Sequence, residues 1–375
     1  MAPVSRRRFL VAAGLAGLAG CTEISGSASD GSAPSSSPAD EATGSESETP
    51  PEGLTVPTRD ERLPLPMAPA DLRDAAQSGG PSKDGIPAID DPTFVGPGAA
   101  DFLGPGDPVF GVARDGVAKA YPQQILVTHE IVNDELAGTP VSVTYCPLTG
   151  TVQGFERGET TFGVSGRLIN SNLVMYDRAT EAWWPQILAT SIPGPWNEDP
   201  PIRSLREFRL IWTTWGRWRD AHPETMVLST DTGHARNYAS DPYGSYNPDG
   251  GYYESDNLMF SALTSDDRYD NKRVVMGART SDGAAAFPKD VLQQEKFLPG
   301  EIGETPVVAV FDERYETGYV YLNPEDRAYD YDDGSVVDPD GTVHDPDDLG
   351  LPRVHTFDAM WFAWAGYYPD TNVYA

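Results

Sequence analysis

Residues 109–145, VFGVARDGVAKAYPQQILVTHEIVNDELAGTPVSVTY, align without a gap on residues 275–311, VMGARTSDGAAAFPKDVLQQEKFLPGEIGETPVVAVF, a constant offset of 166 over 37 positions. Ten pairs are identical, among them Gly111/Gly277, Pro122/Pro288, Leu126/Leu292 and the run Thr139-Pro140-Val141/Thr305-Pro306-Val307. A second echo follows at a different offset, where Trp215, Trp218, Pro223, Thr225 and Val227 answer Trp361, Trp364, Pro369, Thr371 and Val373. Self-similarity of this kind marks a duplicated unit. The shared positions are mostly apolar residues, glycine and proline, the types that build a core and its turns. The differences are chemical: His129 faces Glu295 and Cys146 faces Asp312.

Within the first copy, Asp115-Gly116 between two apolar runs is a type I′ hairpin signal. Pro122 opens a short helix from Gln123 to about Thr128. Val141-Ser142-Val143-Thr144-Tyr145-Cys146 alternates apolar and polar, the period of a half-buried strand. Pairing it with Glu130–Asn133 about residues 137–138 sets His129 nearly opposite Cys146. The expected fold is mostly β (α+β), two tandem related β-rich repeats packed together with short helices. The first repeat spans 107–230, connecting loops 231–272, and the second, structural repeat 273–375.

Upstream, Ser5-Arg6-Arg7-Arg8-Phe9-Leu10 and the apolar run to Gly20 read as an export signal over residues 1–20, too short to span a membrane. The paired arginines resemble a twin-arginine signal, and Leu18-Ala19-Gly20-Cys21 a lipobox that makes Cys21 the lipidation site. Residues 21–58 form an acidic Ser/Pro linker unable to bury a core. Residues 59–106 read as an extended segment packing on the body. These features place the protein outside the cytoplasm, anchored to the cell membrane as a lipoprotein.

The chain carries 57 acidic and 27 basic residues in 375, a formal charge of −30, with lysine only at 83, 119, 272, 289 and 296. So dense a carboxylate surface points to a halophilic source, since high salt screens the repulsion, and it makes nucleic acid a poor partner. Eight Trp, 17 Tyr and 13 Phe still supply a core, and two cysteines exclude an all-cysteine metal site. No Gly-rich phosphate loop, Gly-x-Ser-x-Gly elbow or His-Glu-x-x-His is present, so no nucleotide cofactor is expected.

The candidate chemistry lies in Tyr145-Cys146-Pro147-Leu148-Thr149-Gly150, a thiol at a strand end. A thiol beside an imidazole becomes a nucleophile or a soft-metal ligand, which makes Cys146 and His129 the candidate catalytic pair. Cys146 and His129, with His234 and Met175 as further donors, would suit copper or another soft metal. Thr149, Arg167, Asn170 and Asp177 are candidates to line a pocket. An external thiol or a metal donor is the partner such a site implies.

Four blocks, His129–Asp134, Gly138–Val141, Thr144–Leu148 and Phe162–Gly166, together with Leu173–Arg178 and Thr232-Gly233-His234, resemble the uncharacterised family numbered 3179 among domains of unknown function. The resemblance covers roughly 85–375. Members with Cys-Pro-Leu-Cys or selenocysteine at the motif imply redox chemistry or soft-metal binding, with Cys146 at the first position. Thr149 occupies the second, so Cys146 cannot close a disulfide within the motif. Two functions remain: a thiol redox or soft-metal site at Cys146/His129, or a non-catalytic cell-surface binding or structural module.

Overall fold

The computed structural model describes residues 56–374; the export signal, Cys21 and nearly all of the linker lie outside the described residues. In the first half the chain runs β1 (Pro108–Arg114), β2 (Val117–Pro122), α1 (Gln123–His129), β3 (Ile131–Leu136), β4 (Thr139–Cys146) and β5 (Thr151–Glu156). It continues with β6 (Phe162–Ile169), β7 (Asn172–Asp177), β8 (Trp183–Pro185), β9 (Glu207–Phe208), β10 (Ile211–Thr214), α2 (Trp215–Ala221) and β11 (Met226–Leu228). The second half holds β12 (Val274–Thr280), β13 (Gly283–Pro288), α3 (Lys289–Glu295), β14 (Phe297–Ile302), β15 (Thr305–Asp312) and β16 (Thr317–Leu322). It closes with β17 (Arg353–Val354), β18 (Thr356–Met360), α4 (Trp361–Tyr367) and β19 (Asn372–Val373). The fold is α+β, dominated by strands in several sheets, with short helices.

Turn chemistry sets the register. Asp115 and Gly116 both take positive φ, 52° and 79°, as a type I′ turn requires, and Arg114 pairs with Val117 across it. Ala137 and Gly138 do the same for β3 and β4, pairing Leu136 with Thr139. The sheet β10-β1-β2-β11 extends to the short strand Phe94–Val95, and a four-stranded sheet in the second half runs β18-β12-β13-β19. The other pair of sheets runs β3-β4-β5-β9 and β14-β15-β16-β17. Val109 pairs with Pro122 and Val275 with Pro288, while Val227 lies parallel to Ala120 and Val373 to Ala286.

Each half places a tryptophan over a glycine. A Cβ on Gly111 would collide with the Trp218 ring, and one on Gly277 with the Trp364 ring. Trp218 donates its indole N–H to Thr225 Oγ1 (2.9 Å) and Trp364 donates to Thr371 Oγ1 (3.0 Å), so both buried rings are satisfied. The sheet of Gln77–Ser78, β6, β7 and β8 belongs to the first half, whereas the second carries a small three-stranded sheet over residues 330–344.

The segment before β1 contributes Leu63, Leu72 and Ile89 to the core and forms a helix at Pro69–Asp74. Among the described residues both halves lie within one compact unit. They are stitched together by polar side chains. Arg279 donates to Glu207 (2.7 Å) and to the Ile187 carbonyl (2.8 Å), Asn170 to the Ala363 carbonyl (2.8 Å), and Tyr367 to the Ile169 carbonyl (2.7 Å). Among the described residues no helix is long and apolar enough to cross a membrane.

Candidate functional site

Strand β4 and the loop that follows it, residues 141–150, are buried without interruption. Strand ends ordinarily expose their side chains; this one is roofed. Tyr253 donates its hydroxyl to the Pro147 carbonyl (2.9 Å) and Tyr252 to the Leu148 carbonyl (3.2 Å). Met360 N–H, from the second half, donates to the Thr149 carbonyl (2.9 Å). Gly150 turns the chain at φ 57°, beneath the Tyr253 ring.

Cys146 sits inside this enclosure, 1% exposed, in a cluster with Ile131, Leu148, Leu173 and Met175. Its nearest hydrogen-bond acceptor is the Ser171 carbonyl, 3.7 Å from Sγ. Burial, helped by the nearby Glu130 carboxyl, pushes the thiol up to about 11. Glu130 is itself raised to about 8 by burial, so at neutral pH both groups are largely protonated. The thiolate that nucleophilic or metal chemistry needs is disfavoured.

His129 serves a different neighbourhood. Its Nδ1 lies 2.7 Å from the Pro87 carbonyl, which can only accept, so that nitrogen carries the proton. Nε2 then accepts from the Tyr238 hydroxyl at 2.6 Å, and Tyr238 is bonded to Thr232 Oγ1 at 2.5 Å. Both ring nitrogens are occupied, and no hydrogen bond joins His129 to Cys146. The imidazole is shifted downward by burial, partly offset by its bond to Pro87, with His234 and Arg236 lowering it further. His234 does approach His129, with ring centroids 5.2 Å apart, and lines an open cleft of about 630 Å³ with Asp90, Asp231 and Arg178.

The backbone brings the start of β3 beside the end of β4: Ile131 pairs with Thr144, and Tyr145 N–H donates to the Glu130 carbonyl. Side chains follow another rule there. His129 is the last residue of α1 and Glu130 its C-cap at φ 59°, so strand alternation stops at Ile131. Glu130, beside the sulfur, is the residue that the strand-based reading missed. The positive-φ cap that redirects its neighbours shows only in the structure, since a glutamate carries no local signal for that conformation.

The remaining candidates are structural in their contacts. Met175 is fully buried, opposite Val164 and Trp184. Thr149 Oγ1 accepts from Asn172 Nδ2 at 3.1 Å. Asp177 accepts from Thr180 N–H and hydroxyl (2.6 Å each) and from Trp184 Nε1 (2.9 Å), fixing a turn. Asn170 receives Leu263 N–H at 2.8 Å while donating to Ala363, and the Arg167 side chain is exposed. Among the described residues no group of three or more His, Cys, Asp or Glu side chains could hold a metal ion.

The family model described as protein of unknown function (DUF3179) matches residues 83–371. The chain belongs to the DUF3179 family. That span begins ahead of β1, runs through both halves and ends at Thr371, the residue that accepts the Trp364 indole N–H. No curated protein matches the chain. No solved structure matches it either. In this DUF3179 member Cys146 is buried beneath the Tyr252 and Tyr253 roof, beside Glu130.

Proposed function

We propose that this chain is a non-catalytic cell-surface module that binds or scaffolds, with Cys146 a packed core thiol. The observation that carries the reading is the double isolation of the candidate pair: Cys146 is sealed among apolar side chains, and His129 has both ring nitrogens engaged by Pro87 and Tyr238. The carboxyl beside it, Glu130, is itself raised to about 8 by burial and largely protonated at neutral pH, so the buried thiol behaves as a small hydrophobe. Thr149, at the position of a second thiol in the Cys-Pro-Leu-Cys form of the motif, accepts a structural hydrogen bond from Asn172.

The same reading takes the two halves as tandem relatives, the second a scaffold for the first. Matched strand orders, matched Val–Pro registers and the paired Trp–Gly contacts support it. Export by a twin-arginine signal, lipid attachment at Cys21 and adaptation to high salt complete the proposal, and rest on the sequence. A soft-metal site is the competing assignment. The test is to load the reduced full-length chain with copper(I), desalt it, and count bound metal in wild type and Cys146→Ala. The reading expects no stoichiometric copper in either protein. One equivalent held by wild type and lost from Cys146→Ala would overturn it.

A further inference from the structure

A second enclosure lies at the seam between the halves. It is a cavity of about 250 Å³ whose walls include Arg114, Arg209, Arg353, His222, Tyr315 and Tyr319. Its charge is out of character for a chain of net −30. Arg114 is paired with Glu156 at 3.0 Å, and the one acidic wall residue, Asp347, is paired with Arg314 at 3.1 Å. Among the described residues, Arg209 and Arg353 have no carboxylate within ion-pair distance. Their guanidinium carbons each lie 4.8 Å from the Tyr319 ring centroid, so the two like charges are no more than about 10 Å apart.

Arg209 is anchored by four donations: to the Thr356 carbonyl (2.7 Å) and hydroxyl (2.5 Å), the Thr317 hydroxyl (2.7 Å) and the Gly318 carbonyl (2.7 Å). Its buried Nε has no acceptor. A guanidinium fixed on neutral partners keeps its full charge in a poorly solvated site, which is costly unless a counter-charge arrives. Arg353, an exposed residue on the edge strand β17, carries its guanidinium over the Tyr319 and Tyr321 rings, 4.8 and 5.7 Å from their centroids. With both Nη groups of Arg209 spent on neutral acceptors, its unpartnered Nε–H and the Arg353 guanidinium, set among aromatic walls, are left to meet an anionic oxygen.

We propose that this seam cavity binds a small oxyanion, a carboxylate or phosphate group, between Arg209 and Arg353. The volume admits a small molecule and excludes a polymer. The proposal deepens the reading of the chain as a binding module and rests on it, yet it uses none of the residues around Cys146. A failed anion titration therefore leaves the packed-thiol reading untouched, and reactive-thiol behaviour would leave the anion result standing.

The test is calorimetric titration of the full-length chain with acetate, inorganic phosphate and sulfate in separate arms, at constant ionic strength. Saturable binding of at least one of these is expected, weakened about tenfold in Arg353→Gln through loss of one charge-assisted contact. The arm that binds tighter identifies the group. Arg353→Gln lies on an exposed edge and keeps the fold, whereas Arg73→Gln, on the helix Pro69–Asp74 away from the cavity and paired with Asp74, should leave affinity nearly unchanged. Absence of saturable binding in every arm, or equal binding by wild type and Arg353→Gln, would overturn the proposal.

Discussion

Replacing Glu207 with Gln tests how the halves are joined. Glu207 and Arg279 have side chains 1% and 0% exposed, and their oxygen and nitrogen are 2.7 Å apart across the seam. Arg59 reaches the same carboxylate at 3.3 Å and His355 approaches it at 3.4 Å. Gln keeps the shape and an acceptor oxygen but removes the only negative charge of this group, leaving the Arg279 guanidinium uncompensated. Arg279 Nε and Nη1 already lack partners, so it has little to fall back on. Breaking a buried pair from one side costs about 3–5 kcal/mol, and the retained hydrogen bond places Glu207→Gln near the lower end. A thermal midpoint drop of roughly 5–10 °C follows. Unfolding should be followed by tryptophan fluorescence at low and at molar salt. Salt screens surface pairs and hardly touches buried ones, so the loss should be similar in both. A loss below about 1 kcal/mol, or one that vanishes at high salt, would mean that the pair behaves as a surface contact and would refute the reasoning.

His355 is pushed down to about 4 by burial, against an ordinary value near 6.5. As pH falls from about 6.5 to about 4 the unfolded chain takes up a proton that the folded one refuses, so stability falls by up to about 3 kcal/mol. Glu207, held below the usual carboxylate range by Arg279 and His355 despite its burial, adds to the acid loss at lower pH. His355→Gln should flatten the slope of stability between pH 6.5 and 4, and an unchanged slope would remove His355 from the account. Gly111→Ala and Gly277→Ala each drive a methyl into a tryptophan ring and should cost about 1–3 kcal/mol or more in denaturant unfolding. Neutral behaviour at either position would mean that the ring has room to move.

Much of the backbone was legible because its signals are local. Asp115-Gly116 and Ala137-Gly138 dictate their turns, and the alternation in 141–146 dictates a strand, so the order and register of β1 to β4 followed. The candidate site was less legible. Pairing of the two strands was legible as far as Ile131 and Thr144, but a helix C-cap ends the ladder there, and cap geometry rather than strand period aims His129 and Glu130. The burial of Cys146 was illegible for a different reason. Its roof is made by Tyr252, Tyr253 and Met360, more than a hundred residues away, and no local pattern announces such packing. The segment over residues 59–106 reads as extended chain packing on the body, and Leu63 and Ile89 are buried there, while the short helix Pro69–Asp74 that carries Leu72 into the core was not read from its sequence.

The most direct measurement is the rate at which iodoacetamide modifies Cys146 in the native full-length chain between pH 7 and 10, for wild type and His129→Ala. A thiol raised to about 11 is roughly a hundredfold poorer in thiolate at pH 8 than an ordinary one, and enclosure slows it further. Both proteins should react more than a hundredfold slower than their denatured forms, with rates still climbing at pH 10. A native rate matching the denatured one, or a rate that levels off near neutral pH and collapses in His129→Ala, would contradict the account.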